Sequence, residues 1–304
     1  MGGETNTIIH IIINNMKTKF LSLLFVITVC TSYAQEDSFQ KVLDLYYNCQ
    51  YKEAIAKAHL LEKEDMGSAY YYITLSLVEL DPVYYKDTIL SFLEKYVSDT
   101  SNYGSFMEAY FSDFLKCERG DKIKKKSFDN FCKNSPKLKY PEISYKIYEM
   151  GQKDQWHRSR DGWYFDCRKA KDSINWIKQK QFDSSNLVDL EKIVDQYGWP
   201  TDNIFGKNAS FSCFFIIQHQ KDVKIQEKYL PIIDSLAKLK KIDAWDYFML
   251  KDRILITKGE KQLFGTQSYF DKETGETKRY PQVDYETMER IMLEYGVKPK
   301  QKKQ

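Results

Sequence analysis

A histidine and an aspartate lie where apolar side chains are expected, and these two residues are the best suited to chemistry. Within 207–220, His219 follows Phe215 at four-residue spacing, so the two share one face of a predicted helix. Within 243–257, Asp252 interrupts an apolar stripe of similar spacing. An isolated buried charge costs several kcal/mol, so we expect the Asp252 carboxylate to have a compensating partner.

The partners available to Asp252 are His219, Arg253, Arg158 and the backbone amides of 262–267. We expect Asp252 and His219 to lie within reach of each other or of one shared ligand. In a catalytic site, His219 would act as general acid or base and Asp252 would orient its ring. The corresponding activity would be that of a hydrolase or transferase of a small polar substrate.

Further polar side chains could hold a ligand beside this pair. An arginine would bind an anionic or carbonyl group, and glutamine amides would supply hydrogen bonds. The candidates are Gln155, Arg158, Gln218, Arg253 and Gln267. Three interpretations stay open: a catalytic site, a ligand pocket without catalysis, and a structural polar cluster that only joins a loop to the helices.

Other classes of site lack their signatures. The chain contains no nucleophile elbow, phosphate-binding loop or dinucleotide fingerprint, so no cofactor is predicted. No metal site is predicted, because His157 and His219 lack the i, i+4 spacing of a helical site. With 46 basic and 43 acidic residues, the chain gives no reason to expect a nucleic-acid partner. The predicted partner is an unknown small polar ligand or a peptide.

The N-terminal region predicts export. From Met16, two lysines precede an apolar run over 20–29, and the small residues Ser32 and Ala34 follow at positions −3 and −1 of a cleavage site after Ala34. This pattern is typical of a secretory signal peptide over 16–34, which would leave a periplasmic or secreted chain. The apolar run is too short to span a membrane, so no transmembrane segment is expected after cleavage. Residues 1–15 are interpreted as a non-native extension from an upstream start codon.

Two alternatives to cleavage stay open, an uncleaved N-terminal anchor and a lipoprotein anchored at Cys30. The lipoprotein alternative is weakened by Val29, which stands where such signals carry a small residue. After Ala34 five cysteines remain, and an odd number without tight spacing argues against a disulfide framework and a zinc site. Whether Cys117 and Cys132 bridge neighbouring helices stays open.

The region 36–140 predicts successive amphipathic helices. The residues Tyr51-Lys52-Glu53-Ala54-Ile55 follow a short break at 48–50 and resemble the second helix of a tetratricopeptide unit. Small residues at Ala54 and Ala58 would let two helices approach closely. The resemblance covers about 38–80 and departs from the pattern at Cys49, where the unit usually has glycine. It implies a helical-repeat arm, and a peptide-binding face is its weaker implication.

The region 141–299 predicts further helices and one β-hairpin. Gly198-Trp199-Pro200 would end a helix, and Gly265 would supply a positive φ or a close backbone approach. Asp284 would cap the last helix. The predicted elements are a long helix over 142–180 that is weak at Gly151 or Gly162, a turn at 181–185, helices over 186–197, 207–220, 222–240 and 243–257, a hairpin within 262–281, and a helix over 285–295.

A set of short motifs in this region resembles a bacterial family of unknown function marked by GWP, QH, DR and a QxYGTQ-like ending. The matching motifs are Asp154-Gln155-x-x-Arg158, Gly198-Trp199-Pro200-Thr201, Gly206, Gln218-His219, Gln226, Asp252-Arg253, Gly259, Gln262-x-Phe264-Gly265-Thr266-Gln267 and the closing segment 284–299. The resemblance covers about 145–299. Phe264 and Gln220 depart from the family, which usually shows tyrosine and aspartate near these points. The resemblance implies architecture and candidate positions, and no activity.

Taken together, these patterns predict a mainly α protein. We expect a tetratricopeptide-like arm over 36–140, a helical domain with a small β-hairpin over 141–299, and a frayed tail over 300–304. The predicted function is that of an exported binding or interaction module with a polar pocket in its C-terminal domain. The alternative is the enzyme that uses His219 with Asp252.

Overall fold

The computed structural model describes residues 39–63, 65–102, 111–158, 169–271 and 273–299, and the side chains of these residues except 169–174. The predicted signal peptide, the extension before it, Cys30, Gly162 and the C-terminal tail lie outside the described residues. The protein is mainly α-helical with one small hairpin, as the sequence predicts. No described helix combines the length and the apolar character that crossing a bilayer requires.

The described residues up to Asp99 form one compact unit. Residues 39–47 are helical and are followed by α1 (Tyr51–His59), α2 (Met66–Leu80) and α3 (Lys86–Ser98). Helix α1 packs on α2, and α2 packs on α3. Ala54 and Ala58 are fully buried, in agreement with their predicted role in close helix packing. The break before α1 has Cys49 at φ 60°, the conformation that glycine would adopt more easily. The tetratricopeptide resemblance itself stays a prediction.

The residues from Thr100 onward form a second compact unit. Its elements are α4 (Glu118–Asn134), α5 (Pro141–Gln155), α6 (Lys169–Tyr197), α7 (Asp202–Phe205), α8 (Lys207–Gln218), α9 (Val223–Lys238), α10 (Ala244–Thr257), β1 (Ser268–Asp271), β2 (Glu276–Arg279) and α11 (Tyr285–Glu294). The helix α4 therefore belongs to the second unit, whereas the sequence analysis assigns it to the repeat arm.

The core of the second unit lies among α5, α6, α8, α9 and α10. Phe214, Ile217 and Phe248 are fully buried in it. Helices α5 and α8 approach each other closely at Gly151, where a Cβ atom would lie 2.5 Å from Cβ of Ser212. Gly151 therefore lies inside a helix as a packing residue and does not break it. This contact holds the C-terminal turns of α5 and α8 side by side.

The predicted turn at 181–185 is wrong, because α6 runs without interruption from Lys169 to Tyr197. The hydroxyls of Ser184 and Ser185 donate to the carbonyls of Lys180 and Phe182 within the helix. Serine hydroxyls can be satisfied in this way inside a helix as well as at its start. The helix ends where predicted, at Gly198 with φ 74°.

The hairpin and its neighbours agree with the sequence. Strands β1 and β2 pair antiparallel, with Ser268 opposite Arg279. Gly265 has φ 71°, and a Cβ atom there would lie 2.6 Å from Oε1 of Gln282, so both predicted reasons for a glycine apply. Asp284 accepts a hydrogen bond from the Thr287 amide and caps α11.

The cysteines differ in part from the expectation. Cys117 and Cys132 are free thiols, so the bridge between them does not form. Cys213 is free and fully buried, and burial raises the pKa of its thiol. Cys49 is disulfide-bonded, although the cysteine count argued against a disulfide framework.

Candidate functional site

A buried carboxylate, Asp154, is the centre of a polar network at the C-terminal end of α5. Its side chain is 1% exposed and lies beside three donors. Nδ1 of His219 is 2.7 Å from Asp154 Oδ2, and Gln155 Nε2 donates to the same oxygen at 2.8 Å. Arg158 Nη1 donates to Oδ1 at 3.2 Å and to the backbone carbonyl at 2.6 Å. Because an ionised carboxylate only accepts, the His219 proton is assigned to Nδ1, and no residue that the structure describes forms a hydrogen bond with Nε2.

Arg158 also joins α5 to α6. Its two terminal nitrogens donate to the two oxygens of Asp183 at 2.8 and 2.7 Å, which is a bidentate pair. Gln179 donates to Asp183 Oδ1 at 2.9 Å and accepts from the His157 amide at 2.8 Å. The sequence analysis did not select Asp183 or Gln179 as site residues. Their four-residue spacing on one helix face was the available signal.

The second buried carboxylate, Asp252, anchors the loop after α10. It accepts from the amides of Leu263 at 2.7 Å, Phe264 at 3.0 Å and Thr266 at 3.0 Å, and from the Thr266 hydroxyl at 3.0 Å. The sequence analysis names these loop amides among the possible partners of Asp252. The His219–Asp252 pair does not form, since His219 is oriented by Asp154 and the Asp252 oxygens are occupied by the loop. The sequence missed Asp154 as the partner, although its Asp-Gln-x-x-Arg motif included it.

A cavity of about 380 Å³ opens beside His219, between the C-terminal ends of α8 and α10 and the hairpin. It is lined by His219, Gln220, Lys221, Val223, Gln226, Arg253, Ile256, Thr257, Gln267, Ser268 and Tyr280. We call it the basic cavity, because its lining includes Lys221, Arg253 and His219 and no carboxylate. It brings together three of the predicted site residues, His219, Arg253 and Gln267.

Arg253 is a cation of this cavity that lacks a hydrogen-bond partner at one of its donor atoms. Its Nε is buried and makes no hydrogen bond. Burial lowers the pKa of Arg253, and the nearby positive charge of Arg158 lowers it further. Burial removes water from the Arg253 guanidinium, and an anionic ligand in the cavity would compensate for the lost hydration.

The remaining candidates take structural positions. Gln155 and Arg158 bind Asp154 and do not line the cavity. Gln218 is buried with an unpartnered Oε1, and its backbone carbonyl accepts from Gln226 Nε2 at 3.1 Å. Gln267 donates to the Thr266 hydroxyl at 3.0 Å, which ties the cavity wall to the loop held by Asp252.

Gln226 is a cavity residue that the sequence analysis did not select. It lies in α9, donates to the carbonyls of Gln218 and Gln220, and keeps an unpartnered Oε1. Its position in the family motif set was the only signal for it. Among the described residues, no three His, Cys, Asp or Glu side chains are grouped so that they could hold a metal ion.

Of the comparisons with known proteins, one finds a family whose model matches this part of the chain. No curated protein and no solved structure matches the chain. The match to a family covers the second half of α5, the helices that line the basic cavity, and β1 of the hairpin. Residues 146–274 match the family described as a family of unknown function (DUF6624).

Proposed function

We propose that the C-terminal domain is a binding module and that its basic cavity takes a small ligand through an anionic group such as a carboxylate. The observation that carries this proposal is Arg253, whose buried Nε has no partner in a cavity with no acidic side chain. A buried donor without an acceptor costs free energy, so the unbonded Nε supports a binding role for Arg253.

The rest of the cavity suits a carboxylate. His219 presents Nε2 without a protein partner, and Gln267 and Tyr280 line the same space. A carboxylate has two acceptor oxygens, and Arg253 would bind them in a bidentate pair through Nε and one terminal nitrogen. The volume of about 380 Å³ is in the range of small-molecule sites.

The test compares carboxylates with their neutral amides. Acetate, succinate and benzoate should raise the melting temperature of the protein, and acetamide, succinamide and benzamide should not. Arg253→Gln should abolish the shift. The control is Arg290→Gln, which removes an exposed arginine paired with Glu294 on α11 and should leave the shift unchanged. Equal shifts with the amides, or a shift retained by Arg253→Gln, would contradict the proposal.

A second function, acid–base catalysis, is favoured by the His219–Asp154 pair. A buried carboxylate that receives Nδ1–H holds the ring in one tautomer, so Nε2 can take a proton from a bound group. Turnover would then require His219 and Asp154, whereas ligand binding would mainly require Arg253. His219→Gln separates the two functions, because it should remove turnover while carboxylate binding persists.

We further propose that the mature chain is exported. The signal pattern over 16–34 supports this, and the disulfide bond of Cys49 is typical of proteins in oxidising compartments. N-terminal sequencing of the protein from the extracytoplasmic fraction should begin at Gln35. A mature chain that begins before residue 30 would contradict the proposal.

A further inference from the structure

A second cavity lies at the opposite ends of the same two helices. It has a volume of about 570 Å³ and borders α7 and the N-terminal turns of α8 and α10. Its lining consists of Asp202, Lys207, Asn208, Phe211, Ile242, Asp243, Trp245, Asp246 and Met249. We call it the acidic cavity, because it holds three aspartates and one lysine.

Helix capping explains one of these aspartates and leaves Asp246 unexplained. Asp243 is the N-cap of α10 and accepts from the Trp245 amide at 2.9 Å. Asp246 lies three residues later, where a carboxylate could complete a capping box. It is only 3% exposed, and its Oδ1 has no hydrogen-bond partner. A buried acceptor without a donor costs about 1–3 kcal/mol.

The cavity contains no cation that neutralises Asp246. Lys207 is exposed on the first turn of α8 and forms none of the ion pairs found among the described residues. Burial, together with the charges of Asp243 and Asp202, raises the pKa of Asp246 to about 8. The buried Asp246 carboxyl therefore has two acidic neighbours, and no cation that lines the cavity pairs with it.

The walls of the cavity indicate the kind of cation. Phe211 and Trp245 are 42% and 44% exposed, which is unusual for large aromatic side chains. Aromatic faces attract organic ammonium groups, and carboxylates supply the matching charge. A bare metal ion is a poorer fit, because no three acidic, histidine or cysteine side chains of the described residues are grouped closely enough to hold one.

We propose that the acidic cavity binds the ammonium group of a small organic amine, with Asp246 and Asp243 as counter-charges and Trp245 and Phe211 as aromatic walls. Binding would supply a donor to the unpartnered oxygen of Asp246 and desolvate the cation against the two rings. The site is separate from the basic cavity, so this proposal does not depend on the carboxylate site.

The test uses 1,4-diaminobutane as the probe and 1,4-butanediol as its neutral match, measured by isothermal titration calorimetry. The wild type should bind the diamine and not the diol. Asp246→Asn should weaken diamine binding by about tenfold or more, which corresponds to losing one charge-assisted hydrogen bond. Trp245→Leu should weaken binding by a smaller factor. The matched control is Asp195→Asn, an exposed carboxylate on α6 outside the cavity.

The pH dependence separates a direct contact from a general charge effect. The ionisable groups around Asp246 are Asp202 on α7, Lys207 and Cys213 on α8, and Asp243 before α10. The bound amine would displace a proton from Asp246, so wild-type affinity should rise between pH 6 and pH 9, which brackets the pKa of about 8. Asp246→Asn should lose most of this rise and should still fold, because asparagine resembles the protonated carboxyl.

Four results would overturn the proposal. They are absence of saturable diamine binding by the wild type, equal binding of the diol, unchanged binding by Asp246→Asn in a protein that melts as the wild type does, and calcium binding in the cavity that excludes the diamine.

Discussion

The two cavities differ in the sign of their charge although they lie along one pair of helices. The acidic cavity borders the N-terminal turns of α8 and α10, and the basic cavity borders their C-terminal ends. This arrangement follows the helix dipole, which favours acidic side chains at N-termini and basic ones at C-termini by about 0.3–1 kcal/mol each. The dipole explains the sign of each cavity, and it does not explain why Asp246 Oδ1 and Arg253 Nε are buried without hydrogen-bond partners among the described residues.

Two buried aspartates of α10, Asp252 and Asp246, differ in their hydrogen-bond partners. Asp252 is fully buried and accepts from three amides and one hydroxyl. Asp246, also buried, has an unpartnered oxygen. The same contrast holds for the arginines, since Arg158 makes a bidentate pair and Arg253 leaves Nε unbonded. Burial therefore does not distinguish these charged groups from one another, whereas the number of their hydrogen-bond partners does.

The largest effect is expected from Asp252→Ala. Removal of this carboxylate leaves the amides of Leu263, Phe264 and Thr266 without their acceptor, which should cost about 3–5 kcal/mol of unfolding free energy. Urea denaturation measures the loss, and Asp195→Asn serves as an exposed control. A loss below about 1 kcal/mol would show that Asp252 is not the loop anchor.

Asp246→Asn should increase the unfolding free energy at alkaline pH, whereas Asp252→Ala should decrease it. The pKa of Asp246 is raised from 3.8 to about 8, so the carboxyl stabilises the fold most below pH 4, and this contribution is lost as the pH rises to about 8. Asparagine keeps a neutral group at all these pH values. The variant should therefore gain about 1–3 kcal/mol over the wild type at pH 9 and little at pH 5.

The measurement is the difference in unfolding free energy between the variant and the wild type across pH 5–9, because other groups titrate equally in both. A difference that does not change with pH would contradict the raised pKa. A loss of stability at pH 9 would show that Asp246 has a structural partner, as Asp252 does.

How far the sequence predicts this arrangement depends on distance along the chain. The helix end at Gly198, the cap at Asp284 and the hairpin follow from local residue types, and the structure confirms them. The loop amides around Asp252 were predictable because they lie within fifteen residues of it. The pairing of His219 with Asp154 joins residues 65 positions apart, and the Asp-Gln-x-x-Arg motif that contains Asp154 does not indicate which distant residue it contacts.

The acidic cavity was not predicted for a different reason. Asp243 and Asp246 look like ordinary residues of a helix N-terminus, and only the structure leaves Asp246 without a donor. The error at 181–185 has a similar origin. Asp183 and the serines have the residue types of a cap, but they lie inside α6, where Asp183 pairs with Arg158 and the serine hydroxyls donate to helix carbonyls.

Gly151→Ala should disturb the Asp154 network without removing any polar group. The new Cβ would lie 2.5 Å from Cβ of Ser212, so α5 and α8 must separate, at a cost of about 1–3 kcal/mol. The separation should also weaken the His219–Asp154 hydrogen bond one helical turn further on, which NMR of the His219 Nδ1 proton can detect. Adding Ser212→Gly should restore part of the stability, and absence of any rescue would contradict this contact.

The smallest effect, and the one that bears most directly on the comparison, is that of Arg253→Gln without ligand. Arg158→Gln leaves Asp183 and Asp154 without their cation and should destabilise the fold. Arg253→Gln removes a partly exposed cation whose buried Nε has no partner among the described residues, so it should leave stability unchanged or raise it by about 0.5–1 kcal/mol. Thermal unfolding of both variants in a buffer free of carboxylates measures the difference. If Arg253→Gln is as destabilising as Arg158→Gln, then Arg253 holds the fold together, and the two arginines play one role rather than two.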